Sequence, residues 1–335
     1  MSDQIEPARQ EPARQAPPGA ASETAATETA EAEFDIPDFD ARKTRRAVRR
    51  GILRTSFTVL ATLMVISLVA TIGSPWVQRR GDRVQRMYQV LGTALQMANP
   101  GYNIELGMPS ASPLSLSLEA SIRPLRAVGG FSTGRDFGDQ KDELTQDFFG
   151  HVQRPPLGFA TETPLTYGLY NVGTGNQPKE RMREVLARLP ETMDALAVVE
   201  FTTPLTPAQL LAFGKQYQSC PDLVVYEHRP RFTPITWSPG LGLMNTTAPP
   251  FRGECVDYVP RGLADFRTWV GSLRDHDDAN LRQFGLSLAR LRTSAAEGKA
   301  YAYVDELSSI DRLRKIIEDP RVRTIRVADV SYPLE

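Results

Sequence analysis

The sequence reads as an α+β protein attached to a single membrane-spanning helix. Three observations predict this. From Thr55 to Trp76 no residue is charged, and Leu, Val, Ile, Met and Phe dominate. Roughly 20 such residues, rising ~1.5 Å each, span the ~30 Å hydrocarbon core of a bilayer. In the C-terminal half, runs with strand character alternate with runs of helical period. The composition of the 335 residues, 41% hydrophobic and 24% charged, is that of an ordinary globular protein, and the net charge of −1 argues against broad nucleic-acid binding.

An isolated segment in lipid must be helical to satisfy its own backbone groups. A cleaved signal peptide is the first alternative, but a polar extension precedes the run, whereas signal peptides open on a short charged region. A buried core helix is the second, and such helices rarely stay uncharged for this length. Orientation follows the flanking basic residues. Arg42, Lys43, Arg45, Arg46, Arg49, Arg50 and Arg54 precede the segment, against Arg79, Arg80, Arg83 and Arg86 after it. The heavier cluster, with Arg45, Arg46, Arg49 and Arg50 as its topogenic centre, is expected on the cytoplasmic side. This divides the chain into a cytoplasmic tail (1–50), a transmembrane helix (51–76) and an extracytoplasmic remainder (77–335).

The tail opens on a tandem EPARQ and continues rich in Ala, Thr and Glu, with too few apolar residues to build a core. Residues 1–40 hold ten acids against Arg9 and Arg14. Phe34, Ile36 and Phe39 interrupt this pattern, either as a docking segment for a cytoplasmic partner or as a membrane-surface anchor.

Beyond Trp76, an interfacial aromatic, Val84, Met87, Tyr88, Leu91 and Leu95 recur at helical spacing. They predict a stalk helix over Gln78–Met97 that ends at Asn99-Pro100-Gly101. Tyr102 to about Gly175 alternates as in SLSLEASI, with turn clusters between, and predicts short strands joined by long loops in a region running to residue 190. The last domain, 191–335, is clearer. Asp194–Phe201 reads as a strand. Thr206–Tyr217 reads as a helix, with Thr206 as N-cap and Pro207 at the first helical position. Asp222–His228 is a second strand, Arg229–Gly262 a loop, and Leu263–Glu297 a helical stretch breaking near Asp275–Asp278. Lys299–Leu307 is a third strand, and Ser308–Asp319 a helix with Ile310, Leu313, Ile316 and Ile317 on one face. Pro320 stops that helix before the last strand, Val322–Val330. Strand-helix-strand occurs twice, which describes a ferredoxin-like layout with a helical insertion.

DALAVVEFTTPLTPAQLLAF and AYAYVDELSSIDRLRKIIEDPRVRTIRVADV resemble the opening and closing elements of the sigma factor regulator C-terminal domain family. The likeness covers about residues 190–330, and 80–190 more weakly. It implies a membrane-bound bacterial regulator of transcription, similar to anti-sigma factors, whose tail engages an extracytoplasmic-function sigma factor while the outer domain binds or senses an envelope ligand. Two departures stand against it: Tyr303-Val304-Asp305-Glu306-Leu307 replaces the family's Gly-rich stretch, and residues 1–50 lack a His-Cys zinc pattern. The other reading is a membrane-anchored envelope binding or scaffold protein without a sigma-factor role.

Cys220 and Cys255 are the only cysteines, both on the expected outer side. An even count in an oxidising compartment points to one disulfide; two unrelated buried thiols are the alternative. No motif points to an enzyme, a metal or a cofactor. Of the three histidines, His276 lies in Arg274-Asp275-His276-Asp277-Asp278, where consecutive helical residues do not converge on one point. That run is expected to be solvated. His228 is expected at the surface, His151 in a loop, and Gly173-Thr174-Gly175 in a turn. Asn245-Thr246-Thr247 fits a glycosylation site that would matter only in a eukaryotic secretory pathway.

Overall fold

The computed structural model describes residues 41–79, 83–112, 114–127, 140–154, 163–229, 232–239, 241 and 258–332. Helix α1 runs from Ala41 to Arg79. Within it, Arg45–Gly73 is, among the described residues, the one helix long and apolar enough to cross a membrane. Thr55, Thr58 and Thr71 each donate their hydroxyl to the carbonyl one turn earlier, on Gly51, Arg54 and Ser67. These polar groups are therefore satisfied within the helix. The helix starts before the apolar run, so the basic residues from Arg42 to Arg50, assigned to the tail by the sequence, are helical.

Three short helical pieces follow one another directly: α2 (Arg83–Arg86), a π-helical stretch (Met87–Gly92) and α3 (Thr93–Ala98). The expected apolar face is present, but it faces the interior. Met87, Val90, Leu91, Ala94, Leu95 and Met97 are all buried in the main core. Contact is tight enough that a Cβ on Gly92 would lie 2.4 Å from Leu106 Cδ1. The segment packs as a core helix.

The first sheet is an antiparallel meander of β1 (Tyr102–Ala111), β2 (Ser115–Pro124), β3 (Gln140–Asp147) and β4 (Val152–Arg154), in that order. β2 alternates as the sequence predicts, burying Leu116, Leu118, Ala120 and Ile122. Next come α4 (Pro164–Tyr170) and α5 (Lys179–Arg188).

The second sheet is built from β5 (Asp194–Leu205), β6 (Leu223–Glu227), β7 (Ile235–Trp237), β8 (Ala300–Ser309) and β9 (Val322–Ser331). Its order is β7-β6-β8-β5-β9, and every neighbouring pair is antiparallel. β5 and β6 both oppose β8, so they share a direction and are joined by α6 (Pro207–Tyr217). β8 and β9 both oppose β5 and are joined by α10 (Ile310–Glu318). Between β7 and β8 the chain forms α7 (Tyr258–Ser272), a 3₁₀ turn (Asp275–Asp277), α8 (Asp278–Gln283) and α9 (Leu288–Glu297).

Local chemistry explains the helix ends. Thr206 caps α6 in a reciprocal capping box with Gln209, with Pro207 in the first turn. Ser309 caps α10, and Ile310, Leu313, Ile316 and Ile317 are buried as their spacing requires. One face of the sheet presents Ala195, Ala197, Val199 and Phe201 to a core shared with α6, α10 and the 83–98 helices. The other presents Leu196, Val198, Val225, Ala302 and Val304 to Leu165, Leu169 and Val172 of the α4 region.

Three elements differ from expectation. α4 and α5 occupy a region read as strands and loops, or left unread, and β7 lies inside the predicted loop 229–262. PLTYGLY has weak helical propensity, with Pro first and Gly in the middle. It is helical because Thr163 caps it and because Gly168 allows close approach to Val198 Cγ2, 3.3 Å from where a Cβ would stand.

The packing around Phe213 yields a prediction. Its ring meets Phe201 at 5.3 Å, Tyr217 at 4.8 Å and Tyr303 at 6.0 Å between centroids, and Arg321 lies 4.9 Å over it. Phe213→Ala should cost about 3–5 kcal/mol, and Thr206→Ala, which removes only the cap, about 1 kcal/mol. Urea unfolding of the chain measures both, and equal costs would contradict this packing.

Candidate functional site

The residue types that could carry function gather at one end of the second sheet. After α6 the chain turns sharply at Gln218, which adopts a left-handed conformation (φ 51°). This places Ser219, Cys220 and Asp222 beside β8. The Asp222 amide donates to the Val304 carbonyl (2.9 Å), and the Glu306 amide donates to Asp222 Oδ2 (2.8 Å). The Ser219 hydroxyl lies 2.7 Å from Asp305 Oδ2 and 3.0 Å from the Tyr303 hydroxyl.

Three carboxyl groups, Asp222, Asp305 and Glu306, thus share a small, mostly buried volume. Burial raises the pKa of each. The charge of Asp305 adds to the effect on Asp222 and Glu306, and Asp222 is pushed up to about 7. Asp222 therefore takes up or releases its proton near neutrality. Among the described residues no group of three or more His, Cys, Asp or Glu side chains is placed to hold a metal ion. Within the cluster the Ser219 hydroxyl donates to Asp305 Oδ2, and both residues are buried.

Cys220 is disulfide-bonded, and Cys255 lies outside the described residues. Phe34, Ile36 and Phe39 also lie outside them. Arg45, Arg46, Arg49 and Arg50 sit on the N-terminal part of α1, all exposed.

The histidines stand apart. His151 is exposed and its amide donates to Asp147 Oδ1 at 2.8 Å. His228 is half-buried, not at the open surface; its ring packs on Tyr301 at 4.8 Å, and a Cβ on Gly173 would meet it at 2.5 Å. Gly173 and Gly175 both have positive φ, as the turn reading requires. Around His276 the expected solvated run is only half so. Asp277 is buried, because its Oδ2 accepts from Arg86 (2.6 Å) and from the Arg274 amide (2.7 Å), tying the α7–α8 corner to α2.

Sequence reasoning missed the Asp222–Asp305–Glu306 cluster. Asp222 lies more than eighty residues from the adjacent Asp305 and Glu306, and only the β6–β8 register brings them together. A second missed group is Glu200 with Arg326, both buried. Glu200 also accepts from the Gly173 amide (3.0 Å) and from Arg323 (3.3 Å). Acids at the centre of apolar strands were the available signal for both.

The carboxyl cluster sets the pH dependence of stability. A carboxyl whose folded pKa exceeds its unfolded value contributes stability that is complete below pH ~4 and is lost as pH rises through ~7. Asp222 alone should account for roughly 2–4 kcal/mol across that window. Asp319 acts oppositely: hydrogen bonds from Arg321 hold it at about 2, so its contribution is present above pH ~4 and is lost toward pH 2. Thermal unfolding at pH 5 and pH 8 should show the wild-type chain weaker at pH 8. Asp222→Asn should be the more stable form at pH 8 and lose most of the difference; an unchanged pH slope would refute this assignment.

No family model matches the chain, and neither curated proteins nor solved structures give a significant match.

Proposed function

We propose that this chain is a single-pass membrane regulator similar to anti-sigma factors, with its tail in the cytoplasm and its α+β domain outside. The observation that carries the reading is α1. Its large apolar side chains point outward all round: Ile52, Leu53, Phe57, Leu60, Leu63, Met64, Ile66 and Val69 are each more than half exposed. A helix apolar on every side is stable only when buried in protein or in lipid. The basic excess at its N-terminal end supports the stated orientation.

The ferredoxin-like reading of the C-terminal half is supported by the strand order β6-β8-β5-β9 with α6 and α10 as its crossovers. It is also what the sequence resemblance to the sigma factor regulator C-terminal domain implies. The Cys220–Cys255 pairing belongs to the same proposal, since those are the chain's two cysteines. It fits an oxidising outer compartment. The tail supplies the contact to an extracytoplasmic-function sigma factor, and the outer domain supplies the response to an envelope ligand.

Sidedness is the first test. Protease added to intact spheroplasts should digest the domain and spare the tail; digestion of the tail with the domain protected would invert the scheme. Crosslinking in cells followed by purification through the C-terminus should recover a sigma factor, and deletion of residues 1–40 should abolish its recovery. An anchored domain that recovers none is an envelope binding or scaffold protein.

A further inference from the structure

The end of the first sheet that adjoins the anchor carries exposed apolar side chains on a rigid turn. β3 ends at Asp147 and the chain reverses through Phe148, Phe149 and Gly150. The Asp147 amide donates to the His151 carbonyl (2.9 Å), the Gly150 amide donates to the Asp147 carbonyl (3.0 Å), and Gly150 has φ +94°. Asn280 and Gln146 both donate to the Gly150 carbonyl, at 2.8 and 2.6 Å. The turn is therefore fixed, yet Phe149 is 83% exposed and Phe148 42%. Ser115 pairs with Asp147, so the adjacent Leu114, 72% exposed, stands at the same end of the sheet.

Position relative to the anchor follows from Arg83. Its guanidinium donates to the carbonyls of Phe148 (2.9 Å) and Asp147. Arg83 is four residues beyond Arg79, the last residue of α1. Four residues reach at most about 14 Å. The Phe148–Phe149 turn is thus tethered close to the point where α1 ends, in the region where a bilayer's polar interface lies if α1 spans it. Aromatic side chains favour that interface.

We infer that Leu114, Phe148 and Phe149 insert into the headgroup–acyl boundary of the membrane that holds α1, so that the domain rests on the lipid surface at a second point. The inference rests on the membrane-anchored reading of α1. Two attachments constrain the domain's orientation, and Arg83 links the inserted turn to the chain leaving the anchor. A shift of this domain on the surface would then be felt by the helix.

The test uses the full chain reconstituted in phosphatidylethanolamine–phosphatidylglycerol vesicles, spin-labelled at single introduced cysteines. Phe149→Cys and Leu114→Cys probe the turn, Leu63→Cys the anchor and Lys215→Cys an exposed polar site; the wild-type chain gives the labelling background. Labels at 149 and 114 should be reached by oxygen several-fold more readily than by a water-soluble nickel complex, relative to the label at 215. Equal access of the nickel complex at 149 and 215, with 63 in lipid, would overturn the inference and leave the anchor standing. An aqueous label at 63 would overturn the anchor itself and the inference with it. A label at 149 shielded from both reagents would mean that a protein surface covers the turn, which also overturns insertion.

Discussion

A strand buried on both faces cannot leave a charge unmatched, and β5 carries one. Every residue from Ala195 to Phe201 is buried, including Glu200. An unpaired carboxylate there would cost several kcal/mol, more than most single contacts return. Glu200 is matched by Arg326 from β9, by Arg323 and by the Gly173 amide from the turn after α4. Arg326 in turn donates to the Asn171 carbonyl at 2.9 Å. The ion pair thus holds together an interior strand, the edge strand beside it and the segment that covers the second face. The layers on either side of β5 follow from the same constraint, since α6 and α10 cover one face and the α4 region the other.

The carboxyl cluster at the β6–β8 end is built on the opposite principle. Glu200 is paired with Arg323 and Arg326; Asp222, Asp305 and Glu306 crowd together, and burial favours their neutral forms. Partners at Glu200 lock the fold, whereas their scarcity around Asp222 makes this end responsive to protons. Cys220, which is disulfide-bonded, lies two residues from Asp222, so a covalent cross-link and a proton-binding group share one corner.

The 83–98 helices tie several parts of the domain together. Arg83 holds the β3–β4 turn, Arg86 pairs with Asp277, and the Gln89 carbonyl accepts from Trp269 Nε1 at 2.6 Å. Each link joins a different part of the domain to the chain within twenty residues of Trp76.

The sequence by itself determined what depends on neighbours along the chain. The apolar run of α1, the cap and first turn of α6 at Thr206 and Pro207, and the buried face of α10 from Ile310 to Ile317 are properties of short stretches. Hydrophobic period and capping chemistry suffice for them. The alternation in β2 was legible for the same reason. Only the tertiary structure decided the rest. PLTYGLY became a helix because β5 and β9 needed covering, and ITW became a strand because β6 offered an edge. The 83–98 segment turned into the core because two sheets close around it. Asp222 met Asp305 and Glu306 through strand register, across more than eighty residues of intervening chain. A site whose members are brought together by register leaves no pattern at short range, because the distance that matters is across the sheet and not along the chain.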